Sequence, residues 1–132
     1  MTVLSKLITG SLHLEAYSPL SGDTEGLSRR TTCCTKTSAD AAWYLTPEAN
    51  NIHQFKAESL CVVLDVLLPP YDAGKGRDCT YFTSSRASSK TMEEGLEEDD
   101  ADAVWKLTVT AEEPSDLPYG VRYTGIRPSV PF

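Results

Sequence analysis

The sequence predicts an all-β domain, a sandwich or barrel of short strands, on three observations. Short stretches rich in Val, Leu, Ile, Thr and aromatic residues recur between turn signals made of Gly, Pro, Asn and Ser. No stretch shows the apolar spacing of an amphipathic helix. A length of 132 residues suits one domain with a single core.

Taken in order, Met1 to Tyr17 has strand character. Val3-Leu4 and Leu7-Ile8 flank Lys6, Gly10 punctuates, and Leu12, Leu14 and Ala16 then alternate with Ser11, His13 and Glu15, which reads as a hairpin or as two short strands. Residues 18–40 are rich in Ser, Thr and Gly and contain Arg29-Arg30, so they read as a flexible surface insertion. Ala41 to Thr46 is a short strand stopped by Pro47, and the turn at Asn50-Asn51 delivers His53 and Phe55 onto the next strand. Lys56 to Ser59 reads as a turn. The apolar run Cys61 to Leu68 reads as a buried strand ended by Pro69-Pro70, and a Gly-rich connection leads to a strand over Asp78 to Phe82. Residues 84–102 read as a second, polar and acidic insertion. Trp105, Leu107 and Val109 alternate with polar residues in a half-buried strand closed by Pro114, and the tail from Leu117 to Phe132 allows one more short strand.

Composition narrows the function classes. Apolar residues make up 40% and charged residues 23%, as in ordinary globular domains. The net charge of -7 has one origin: Glu93, Glu94, Glu97, Glu98, Asp99, Asp100 and Asp102 form a run without a base, while the other twelve acids balance twelve Lys and Arg residues. No basic cluster exceeds Arg29-Arg30, which argues against nucleic-acid binding. No apolar stretch reaches the roughly 20 residues of a membrane helix. Cys33, Cys34, Cys61 and Cys79 lack both disulfide-scaffold density and zinc-finger spacing, so the expected setting is a reducing compartment, cytoplasm or nucleus. The expected state is a monomer.

Chemistry concentrates between Asn51 and Tyr81. His53 follows a turn, and Asp65 interrupts an otherwise apolar strand, where a buried carboxylate must meet a cation, a donor such as Arg77, or a water-lined cavity. From the residues alone His53 is an ordinary turn or core histidine, and Tyr71 after two prolines a packed turn aromatic. His13 reads as a surface strand residue and Cys33-Cys34 as loop cysteines. The acidic run lacks the regular acid spacing of a calcium loop.

The segments MTVLSKLITGSLHLEAY, NIHQF, VVLDVLLPPY, GRDCTYF and YGVRYTG together resemble the plant cysteine oxidases, thiol dioxygenases related to 2-aminoethanethiol dioxygenase. The resemblance implies a cupin, a double-stranded β-helix (jelly roll), whose iron(II) is held by three histidines. It implies addition of both atoms of O2 to a cysteine sulfur, giving the sulfinic acid, with an N-terminal cysteine of a regulatory protein as substrate and a role in sensing oxygen supply. Three neutral imidazoles would leave positions open for thiolate, amine and O2. By the same resemblance His53 is an iron ligand, Asp65 contacts the substrate amine or orders a ligand, Tyr71 lines the substrate approach, and Cys79 stands close to the pocket.

One departure matters. The family's first two iron ligands lie in a His-x-His-Pro-Gly motif ahead of the segment that begins here at Met1, and His13 aligns beyond that pair. The resemblance therefore implies an incomplete, N-terminally truncated cupin spanning 1–132, weakly active or inactive as it stands. The alternative is a non-catalytic cupin fragment with a binding role or none. Missing strands would expose sheet edges and apolar surface.

Overall fold

The computed structural model describes residues 1–20, 25–87 and 103–111. They form eight strands: β1 (Thr2–Thr9), β2 (Ser11–Pro19), β3 (Gly26–Thr37), β4 (Trp43–Leu45), β5 (Ile52–Ala57), β6 (Val62–Leu68), β7 (Tyr81–Arg86) and β8 (Val104–Thr110), with one 3-10 turn over Ala73–Lys75. All pairings are antiparallel, in a three-stranded sheet ordered β4-β1-β6 and a five-stranded sheet ordered β5-β2-β3-β8-β7. The all-β class and a two-sheet, cupin-like arrangement are thus present.

β1 and β2 are consecutive yet belong to different sheets. The first stretch is therefore two strands and not a hairpin, and the chain crosses between sheets at Gly10. Only glycine suits that corner: its φ is +85°, and an added Cβ would lie 2.3 Å from the Leu60 carbonyl oxygen. The crossing turns the inner faces of β1 and β2 toward each other. Leu7 of β1 and Leu12 and Leu14 of β2 are no more than 2% exposed and form the core, with Cys34, Trp43, Phe55, Cys61 and Val63 packed against them. Each buried leucine contributes about 1.5–3 kcal/mol of apolar burial. The rings of Trp43 and Phe55 meet edge-on at 6.1 Å between centroids.

Two expectations are corrected. Within residues 18–40 the described part is largely β3, which pairs with β2 and with β8. Its Thr and Cys residues suit a strand, and their side chains alternate between half-buried and exposed although few are strongly apolar. Residues 84–86 likewise belong to β7, while 88–102, with the acidic run, and the tail from 112 lie outside the described residues. The strand expected over Asp78 to Phe82 starts at Tyr81.

The second correction concerns β6. The strand is present, but none of its residues is buried. Leu64, Val66 and Leu68 stand on the outer face with Leu4 of β1, all between 43% and 56% exposed, so apolar character along the run does not signal two covered faces here.

Replacing Gly10 by Ala is expected to destabilise the fold by about 2–4 kcal/mol, combining the left-handed backbone with the clash. Urea denaturation measures this. Gly26→Ala, also at positive φ (+127°) but with nothing within 4 Å, isolates the backbone part and is expected to cost less.

Candidate functional site

β5 positions His53 opposite Ala16 of β2 and on the same strand face as Phe55, which turns the imidazole toward the sandwich interior. The His53 and Phe55 rings lie 5.1 Å apart. His53 Nδ1 is 3.3 Å from the Asn51 carbonyl oxygen. A carbonyl only accepts, so Nδ1 carries the hydrogen and the neutral ring offers its Nε2 lone pair. Burial pushes the His53 pKa below its ordinary value, against the opposing pull of the Asn51 carbonyl and the Asp65 charge, so the ring is neutral at pH 7.

Asp65 approaches from the other sheet, on β6 opposite Ser5 of β1. It is exposed, which removes the need for the buried partner considered from the sequence. Arg77 goes elsewhere: its guanidinium is 3.4 Å from Asp72 Oδ2 and donates to the Pro70 carbonyl oxygen at 3.2 Å. Those contacts close a loop. Asp72 and Arg77 exchange backbone hydrogen bonds of 2.8 and 3.0 Å around the 3-10 turn, which brings Tyr71, just before the loop, beside Cys79, just after it.

The Tyr71 pKa is pushed up to about 12, first by partial burial and then by the charge of Cys79 and a hydrogen bond to it, with Tyr81 and Asp65 adding to the effect. The Tyr71 phenol is consequently a hydrogen-bond donor across the physiological range. Asp65 acts on both His53 and Tyr71, and Cys79 acts on Tyr71. The four residues singled out from the sequence are thus brought together from β5, β6 and the two sides of one closed loop.

The PCO_ADO family model matches residues 1–126. The chain belongs to that family. It is 41% identical over 88 residues to plant cysteine oxidase 1 of Arabidopsis thaliana, covering 62% of this chain and 30% of that protein. Plant cysteine oxidase 2 of the same organism is 34% identical over 125 residues, 89% of this chain and 45% of that one. A probable 2-aminoethanethiol dioxygenase of Dictyostelium discoideum is 32% identical over 99 residues, 70% and 45% of the two chains. This chain therefore spans less than half the length of these relatives.

The donor set at His53 does not complete a three-imidazole iron site. The sequence contains two histidines, and His13 points to the opposite face of β2, away from the core. Among the described residues His53 and Asp65 supply one imidazole and one carboxylate, too few for a three-histidine or two-histidine-one-carboxylate set.

Sequence reasoning missed a second grouping. His13 and Glu15 share the outer face of β2, Cys33 of β3 pairs opposite Glu15, and one ligand atom from each lies within 4.8 Å of the others. The alternation along β2 already put His13 and Glu15 together. Cys33 was hidden because its segment read as an insertion.

Two titrations check these environments. A spectrophotometric titration is expected to leave Tyr17 and Tyr71 un-ionised until about pH 12, with the Tyr71 contribution lost in Tyr71→Phe; midpoints near 10 for every tyrosine would contradict it. By NMR the His53 ring should titrate below the ordinary histidine range. Because the folded state binds that proton more weakly than the unfolded chain, the stability linked to His53 is present above the unfolded pKa of about 6.5 and is lost as pH falls below it.

Proposed function

We propose that His53, Asp65, Tyr71 and Cys79 form the substrate side of an iron(II)-dependent thiol dioxygenase site that adds O2 to a cysteine thiol, RSH + O2 → RSO2H. The observation that carries this reading is the convergence of these residues in a chain of the PCO_ADO family. The exposed Asp65 carboxylate suits the α-ammonium of an N-terminal cysteine. The Tyr71 phenol holds its proton and can donate to the substrate sulfur or to oxygen on it. His53 offers a neutral imidazole with its other nitrogen tied to Asn51, the arrangement of a metal-ligating histidine. An N-terminal cysteine on a regulatory protein would couple the reaction to oxygen supply, and a reducing setting, cytoplasm or nucleus, fits four cysteines without a disulfide.

A second reading rests on the incomplete donor set: the 132-residue chain by itself recognises the substrate and turns it over weakly or not at all.

The test uses a short peptide with a free N-terminal cysteine and its N-acetylated twin. Calorimetry should show tighter binding of the free-amine peptide, by about fivefold, with Asp65→Asn abolishing the difference, as befits an exposed charge pair worth about 1 kcal/mol. Equal affinity for the two peptides would overturn the assigned role of Asp65. Supplied with Fe(II) and O2, a gain of two oxygen atoms in the peptide at many turnovers per chain would overturn the non-catalytic reading, while no turnover with discrimination intact would support it.

A further inference from the structure

We propose that His13, Glu15 and Cys33 form a site for a divalent transition ion of the zinc class on the outer face of the five-stranded sheet, on the opposite side of β2 from His53. The ligand types suit such an ion: imidazole, carboxylate and thiolate are all first-shell donors for zinc. The geometry is close to formed. His13 Nε2 lies 3.6 Å from Cys33 Sγ and 3.5 Å from Glu15 Oε1. Zinc–ligand bonds of about 2.0–2.3 Å at tetrahedral angles require ligand separations of about 3.4–3.6 Å, so two of the three edges already have the needed length. The third, within 4.8 Å, closes by rotation of the exposed Cys33 side chain.

Neighbours orient the carboxylate. Glu15 Oε2 accepts from the Tyr17 hydroxyl at 2.8 Å and from Gln54 Nε2 at 2.9 Å, which leaves Oε1 directed at His13. Such support of a ligand by its neighbours typically governs metal affinity by tenfold or more. Arg30 Nη1 stands 3.8 Å from the same Oε1, and its guanidinium also lies over the Trp105 ring at 5.3 Å. A metal would share that oxygen's charge with Arg30. Loss of the thiol proton on binding gives the ligands two negative charges against the two of the ion. Three protein ligands leave one position for water or another small ligand. His13 and Glu15 come from β2 and Cys33 from β3, so a bound ion would tie together two neighbouring strands of this sheet.

The adjacent cysteines supply a control. Cys33 pairs opposite Glu15 on the outer face, whereas Cys34 pairs opposite Leu14 and packs on the core. Titration of the reduced 132-residue chain with Co2+ is expected to give a thiolate-to-cobalt charge-transfer band and the visible bands of a tetrahedral site at one equivalent, both displaced by Zn2+. Cys33→Ser should abolish the charge-transfer band and Cys34→Ser retain it. Glu15→Gln and His13→Ala should weaken Zn2+ binding by at least about tenfold, while His53→Ala leaves it unchanged. Circular dichroism of each variant separates loss of ligand from loss of fold. Absence of a charge-transfer band at stoichiometric Co2+, or its survival in Cys33→Ser, would overturn the site; loss in folded His53→Ala with retention in Cys33→Ser would place the metal on the other face.

Discussion

The structure depends on the packing of Leu7 against Leu12 and Leu14 across the Gly10 corner. That contact holds two sheets face to face and fixes which side of each strand meets the interior. Once Leu12 and Leu14 point inward, the two-residue period of β2 sends His13 and Glu15 outward, and pairing with β5 turns His53 inward beside Ala16. A one-residue slip of β2 would exchange the two faces. The core, the inward direction of His53 and the outward pair His13 and Glu15 are therefore consequences of one register.

The grouping around His53 is built at low energetic cost. Asp65 is exposed, so its charge needs no compensating buried partner, and it still biases His53 and Tyr71. Tyr71 and Cys79 are held by a loop whose closure uses the Asp72–Arg77 backbone pair and ion pair, so their juxtaposition does not depend on the long sheet registers. His53 is kept neutral by its surroundings. One imidazole and one carboxylate do not enclose a metal by themselves, so in the proposed reading these residues serve the substrate.

Much of this was legible in the sequence, for identifiable reasons. Alternation along β2 and β8 and the turn at Asn50-Asn51 located strands and placed His53 on one of them without tertiary information. Asp65, Tyr71 and Cys79 were singled out through ordered motifs, although the contact of Tyr71 with Cys79 was not legible, since it depends on how residues 72–77 close. β3 was hidden because its Thr, Cys, Ser and Arg residues carry strand preference without strong hydrophobic contrast. Burial of β6 was overestimated because an apolar run is the same whether its outer face is covered or open. The His13–Glu15–Cys33 grouping needed the β2–β3 register, which no local pattern supplies.

In the proposed reading, substrate is recognised by residues from separate segments, His53, Asp65, Tyr71 and Cys79. The most direct measurement is a backbone amide NMR titration of the 132-residue chain with a peptide bearing a free N-terminal cysteine. Shift changes confined to the surroundings of His53, Asp65, Tyr71 and Cys79, with β3 around Cys33 unmoved, are the predicted result. Changes centred on the outer face of β2 and β3, or none at saturating peptide, would contradict it.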